Sequence, residues 1–169
     1  ALSRDEMLEQ LPVLRKKFND YASYSTAAVA DLFSAKELST AQKLVADNMA
    51  SCYIENKGNG KLEIRELPVQ AQFSPVYAIN SLDVNKDGNQ DLLLGGNFEK
   101  SRVSIGKFDA NHGMLFLGDG KGNFKYVTQP VSGFSIKGDV RDILVLKIKE
   151  KTTILFSLSN KPVVSYSLQ

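Results

Sequence analysis

One passage of this chain is written twice. Ile54 to Pro68 reads IENKGNGKLEIRELP and Phe116 to Pro130 reads FLGDGKGNFKYVTQP, and the two align without a gap: Gly58 over Gly120, Gly60 over Gly122, Leu62 over Phe124, Pro68 over Pro130. Each copy is a short run with branched or aromatic residues, a glycine-rich turn, a second such run and a proline, which is the pattern of a β-hairpin.

Each hairpin is followed by an Asp-containing run that leads into an aliphatic strand, DVNKDGNQDLLL from Asp83 and DVRDILVL from Asp139. Two copies at a period of roughly 60 residues suggest blades of a β-propeller, with an inserted loop. The expected strands are Cys52–Glu55, Lys61–Leu67, Tyr77–Leu82, Asp91–Gly95, Met114–Leu117, Phe124–Thr128, Ile143–Lys149, Thr152–Leu158 and Val163–Leu168. Gly95-Gly96 reads as a strand end or bulge. Lys147-Ile148-Lys149 alternates charge with an apolar residue, as a half-exposed strand does.

Residues 1–50 have a different texture. Ser3 followed by Glu6, and Ser34 followed by Glu37, are capping boxes that open helices. Leu8, Leu11 and Leu14 recur at helical spacing, Pro12 breaks the run or starts a new turn, and Phe18 and Tyr21 continue the apolar stripe. After the second box, Leu38, Ala41, Leu44 and Val45 are the expected buried side. The reading is therefore a mainly β protein: an α-helical segment over 1–50, then about two propeller-type blades over 51–169.

The segment richest in chemistry is Asp83-Val84-Asn85-Lys86-Asp87-Gly88-Asn89-Gln90-Asp91. Oxygen-bearing side chains stand at its first, third, fifth and ninth positions, and Gly88 sits where a sharp turn needs a positive φ. Calcium is a hard cation that takes six to eight oxygens in flexible geometry. We expect Asp83, Asn85, Asp87 and Asp91 to contribute side-chain oxygens and Asn89 its backbone carbonyl. An EF-hand would place a bidentate glutamate at position twelve between helices, whereas position twelve is Leu94 and both flanks read as strand.

This loop, D-x-N-x-D-G-x-x-D-L-L, resembles the calcium loops of FG-GAP/VCBS repeats, found in integrin α-subunit propellers and many bacterial surface proteins. The segments Leu67–Val76, Asp91–Asn97, Leu115–Phe124 and Gly138–Ile143 resemble the C-terminal end of VCBS-repeat proteins related to the ASPIC/UnbV group. The resemblance implies a seven-bladed propeller, exported to the periplasm, cell surface or exterior, with calcium bracing its loops. The chain holds only about two blades, so the rest of a parent propeller is an implied partner. In the second copy Val140-Arg141 replaces the Asp-Gly turn beside Asp139 and Asp142, so one calcium site is expected, not two.

A formal net charge of +2, from 21 basic and 19 acidic residues, argues against a dedicated nucleic-acid surface. No stretch approaches the ~18 apolar residues of a membrane span. Cys52 is the only cysteine, so neither an internal disulfide nor a cysteine-based zinc cluster can form; we expect it in the core. His112, the sole histidine, lies in a polar loop and reads as a plain surface or loop residue. Gly118-Asp119-Gly120-Lys121-Gly122 lacks the ending of a phosphate-binding loop and reads as a hairpin turn.

These features favour a non-catalytic binding or scaffold module with an unknown protein or glycan ligand, and open blade edges offer a route to self-association. The alternative is an accessory or catalytic domain acting on glycans. It needs two carboxylates facing one cleft, and the spacing of Glu55, Glu63, Glu66, Glu99 and Asp109 pairs none of them.

Overall fold

The computed structural model describes residues 2–103 and 105–168, in two compact units, Ala1–Asp47 and Asn48–Gln169. The first unit is helical. Both expected capping boxes form, with Ser3 capping α1 (Arg4–Gln10) and Ser34 capping α4 (Ala35–Thr40); between them lie a 3-10 turn Pro12–Lys16, α2 (Tyr21–Ser25) and α3 (Val29–Leu32). Pro12 does open a new turn. Leu8, Leu14 and Phe18 form a small core edged by Leu11, Tyr24 and Leu32, and the Arg4 guanidinium donates to the Phe18 and Asn19 carbonyls at 3.0 Å each.

Two expectations fail in this unit. Tyr21 does not extend the stripe, because Asp20 caps a new helix there and leaves the ring exposed. Nor do Leu38, Ala41, Leu44 and Val45 form a buried side: α4 stops at Thr40, Ala41 is extended, and Leu44 and Val45 are exposed. The Ser39 and Thr40 hydroxyls both donate back to the Lys36 carbonyl, competing with the continuation of the helix.

The second unit is β. Each of the nine expected strands forms, with ends moved by at most three residues: β1 (Cys52–Asn56), β2 (Leu62–Glu66), β3 (Val76–Leu82), β4 (Asp91–Gly96), β5 (Met114–Gly118), β6 (Phe124–Val127), β7 (Val140–Ile148), β8 (Lys151–Leu158) and β9 (Lys161–Ser167). They make three antiparallel sheets ordered β1-β2, β3-β4-β5-β6 and β7-β8-β9, and no closed barrel is formed among the described residues.

The two matched hairpins share one geometry. Ile54 pairs with Ile64 as Phe116 pairs with Tyr126, and the turns close through the same bond, Lys57 N–H to the Lys61 carbonyl and Asp119 N–H to the Asn123 carbonyl. Each is followed by one helical turn, a 3-10 turn Val69–Gln72 and α5 (Gln129–Ser132). Gly95 and Gly96 lie opposite a bulge in β3, as expected, and a Cβ on Gly96 would overlap the Pro75 carbonyl oxygen.

The four-stranded sheet carries an apolar cluster on each face, while Tyr77 and Ile79 of edge strand β3 stay exposed. On one side Leu94, Met114 and Phe116 pack with Leu67 and Ala71, and the Tyr53 ring meets Phe124 edge-on at 5.6 Å. On the other side Ala78, Leu93 and Leu115 pack on Val140, Ile143, Ile154 and Phe156 of the three-stranded sheet. The Asn80 side chain also donates to the Ile143 carbonyl at 3.0 Å.

The topology corrects one alignment. Asp83 follows the first strand of its sheet, whereas Asp139 precedes the first strand of its own. The connection equivalent to Asp83–Asp91 is the two-residue turn Lys149-Glu150, so the DVRD run is not a second copy of the loop. Asp139 instead accepts the Glu99 N–H and pairs with Arg141, and Asp142 accepts from Ile143 N–H.

Candidate cation-binding loop

The loop bridges β3 and β4, closing on the Leu82–Asp91 register pair. Lys86 and Gly88 take the positive φ values, 61° and 87°, so Gly88 meets the conformation its position requires. Asp83 organises the turn: its Oδ1 accepts from Asp87 N–H at 3.1 Å and its Oδ2 from Gly88 N–H at 2.8 Å. Asn85 Oδ1 accepts from the same Asp87 N–H at 3.1 Å, and Asn85 Nδ2 donates to Asp87 Oδ2 at 2.8 Å. Asp87 Oδ1 accepts from Asn89 N–H at 2.8 Å. Asp83, Asn85 and Asp87 therefore form one hydrogen-bonded network. These contacts, led by the Asn89 N–H and then the Asn85 amide, hold the Asp87 carboxyl below its ordinary pKa.

Asp91 stands apart from this network. It is fully buried, its Oδ2 accepting from Val84 N–H and its Oδ1 from Gly118 N–H, both at 2.9 Å. One carboxylate thus ties the start of the loop to the end of β5. The approach is so close that a Cβ on Gly118 would overlap the Gln90 carbonyl oxygen. Asn89 is half-buried, with its side chain against Gly120 of the β5–β6 turn.

The donor set fits a hard cation in type, being all oxygen. Each engaged oxygen accepts one backbone or amide hydrogen, which leaves a second lone pair. Among the described residues, no group of three or more His, Cys, Asp or Glu side chains is arranged to hold a metal. A cation here would have to draw on the Asn85 side chain and the Asn89 carbonyl as well as the three carboxylates.

The hairpin turn read over Gly118–Gly122 forms between β5 and β6, and it lies beside this loop. An open cleft of about 470 Å³ is bordered by Asp87 and Asn89 on one side and Asp119 and Asn123 on the other. Asp119 serves its own turn, accepting from Lys121 N–H, Asn123 N–H and the Asn123 amide at 2.8, 3.0 and 2.6 Å. Those contacts, the Asn123 amide first, bring its pKa down to about 2.

A constellation that the sequence reading missed is buried at the other end of the sheet. Asn97, at φ 88°, accepts on Oδ1 from Ser74 Oγ (2.8 Å) and Asn111 N–H (2.9 Å), and donates through Nδ2 to the Asn111 and Gly138 carbonyls (2.7 and 3.1 Å). The only sequence signal was an asparagine directly after Gly-Gly at a strand end, a place where left-handed backbone is common.

The other residues weighed from the sequence make contacts within the fold. His112 Nδ1 lies 3.0 Å from the Ile136 carbonyl, while its own carbonyl accepts from Ile136 N–H. Cys52 is half-buried rather than in the core, its thiol donating to the Ala50 carbonyl at the start of β1, in a sheet of only two strands. Glu55 and Glu63 face each other across β1 and β2, and each is paired with both Lys57 and Arg65 at 2.6 to 3.6 Å. Glu99 lies 3.7 Å from Lys161. No described helix is long and apolar enough to cross a membrane. Neither family models, curated proteins nor solved structures gave a match to this chain.

Proposed function

We propose that this chain is a calcium-binding β-sheet module of the propeller-repeat kind, acting as a non-catalytic binding or scaffold part of an exported or cell-surface bacterial protein. The observation that carries the proposal is the oxygen-only loop between β3 and β4, in which Asp83, Asn85 and Asp87 share one network. Asp83, Asn85 and Asp87 would hold the ion through side-chain oxygens, Asn89 through its carbonyl, and Asp91 through a free lone pair at the loop's inner edge. The ion would neutralise three carboxylates crowded into nine residues. Meanwhile Asp91, through Val84 and Gly118, couples the loop to the sheet.

The propeller-repeat part of the proposal rests on the resemblance of the loop and hairpins. It is supported by the four-stranded meander with an apolar core on each face, the condition of a blade within a stack. Export and the scaffold role rest on the resemblance alone.

The test is thermal unfolding in calcium and in chelator, with magnesium as control. A ligand that binds only the folded chain adds about 2.7 kcal/mol when present at a hundred times its dissociation constant. Calcium should raise the melting midpoint, and Asp87→Asn should abolish most of that rise. A midpoint indifferent to calcium and chelator would refute the assignment.

A further inference from the structure

The connection from β4 to β5 runs over residues 97–113. It exceeds the ~12–15 residues beyond which a connection without secondary structure of its own is uncommon in a compact domain. Its base is firmly held. Phe98 N–H donates to the Phe108 carbonyl at 2.8 Å and receives the reverse bond at 3.2 Å, and Glu99 N–H donates to Asp139 at 2.9 Å. Beyond that bridge the backbone turns through bonds from Ile105 and Gly106 N–H to the Arg102 carbonyl. The turn holds two aliphatic side chains out in water: Val103 is fully exposed and Ile105 is 61% exposed. From Lys100 to Lys107 the sequence carries three cations, Lys100, Arg102 and Lys107, and no acid, in a chain whose whole formal charge is +2. The nearest acids in sequence, Glu99 and Asp109, adjoin the bridge at the base, and Glu99 lies 3.7 Å from Lys161.

We infer that this finger docks the protein on an anionic lipid surface, with Val103 and Ile105 entering the headgroup layer and Lys100, Arg102 and Lys107 meeting lipid phosphates. Stacked sheets cover one another's faces, whereas this connection leaves from strand ends, so further sheets on the stack would not cover it. Charge alone would suit any polyanion, and the aliphatic tip selects lipid. Single-stranded nucleic acid is held on aromatic stacking platforms, and Phe98 and Phe108 are more than half covered at the base. A bilayer instead gives aliphatic side chains a medium that costs less than water, while its anionic headgroups attract the flanking cations. Each cation near such a surface should raise partitioning about five-fold, and the two aliphatics together about tenfold. The cation-binding loop lies at the other end of β4, so this contact does not depend on it.

The test is co-sedimentation of the full chain with phosphatidylcholine vesicles, with and without about a third phosphatidylglycerol, in chelator so that no calcium bridges protein to lipid. Wild type should pellet with the anionic vesicles, stay in solution with the neutral ones and be released by high salt. Lys100→Gln/Lys107→Gln should lower partitioning about 25-fold, and Val103→Gln/Ile105→Gln about tenfold at unchanged charge. All four positions are exposed, so both variants should keep the melting midpoint of wild type. The chain has no tryptophan, so Val103→Trp places a single reporter at the tip, and its emission should shift to the blue on anionic vesicles. Pelleting that ignores phosphatidylglycerol, or a tryptophan emission that does not move, overturns the proposal. So does an aliphatic variant that binds as wild type while the charge variant is released, a result that assigns the finger to a soluble polyanion such as a nucleic acid. A melting midpoint indifferent to calcium would sink the calcium reading and leave vesicle binding in chelator as it is.

Discussion

Replacing Asn97 by alanine removes four hydrogen bonds at once, each to a buried or part-buried partner. Two are acceptor bonds on Oδ1, from Ser74 Oγ and Asn111 N–H, and two are donor bonds from Nδ2, to the Asn111 and Gly138 carbonyls. Asn97 itself is 1% exposed, so water cannot replace them without opening the structure. At about 1 kcal/mol for each net hydrogen bond, the loss is about 3–5 kcal/mol. Alanine must also hold φ near 88°, which costs about 1 kcal/mol more than it costs glycine. The expected sum is a large part of the 5–15 kcal/mol typical of a folded domain. Asn97→Gly should therefore be about 1 kcal/mol less damaging than Asn97→Ala. Ser74→Ala, which spares the three bonds that do not involve its hydroxyl, should cost about 1 kcal/mol. Urea unfolding followed by circular dichroism at 218 nm, about the β-sheet minimum, would read these values in the β unit, and the Ser74/Asn97 double variant would report their coupling. If Asn97→Ala cost under about 1 kcal/mol, or if Gly and Ala were equivalent, the account of this network would be wrong.

Asp91 and Asp87 should behave differently. Asp91→Ala should lower the melting midpoint in chelator as well as in calcium, because its carboxylate anchors backbone; Asp87→Asn should matter chiefly in calcium. Gly118→Ala should destabilise by about 2 kcal/mol or more, since the added carbon meets the Gln90 carbonyl and neither backbone can yield cheaply. The turn Lys149-Glu150 has φ values of 46° and 65°, so replacing it by Asn-Gly should raise stability by about 1 kcal/mol in the same urea assay. The Asp119 pKa is lowered from 3.8 to about 2, so its contribution is present above the higher value and lost as pH falls through the lower one. A melting-midpoint series in chelator should decline across that interval, and Asp119→Asn should flatten the decline.

The strands were legible because a pleated chain must alternate its faces and must turn on residues that tolerate tight backbone. That is why the LEIRE and FKYV runs, and the Gly58–Gly60 and Gly120–Gly122 turns, could be placed from sequence. The Asp83–Asp91 loop was legible for a related reason: its oxygens and its glycine are set by local spacing, and the turn closes on itself as that spacing implies. Helix starts were legible too, through Ser3 and Ser34 with their glutamates, but the end of α4 was not, since the hydroxyls that end it compete only once the backbone is in place.

The amino-acid order alone determined strand count, hairpin repetition and which loop gathers oxygen, because all three depend on neighbours a few residues apart. Only the tertiary structure decided that Asp91 serves as an internal anchor, that Asn97 joins segments 41 residues apart at its reach to Gly138, and that Asp139 is no counterpart of Asp83. Those outcomes depend on which backbone groups are left without partners when sheets pack, and a buried amide takes its partner from whatever segment lies within about 3 Å, however distant in the chain.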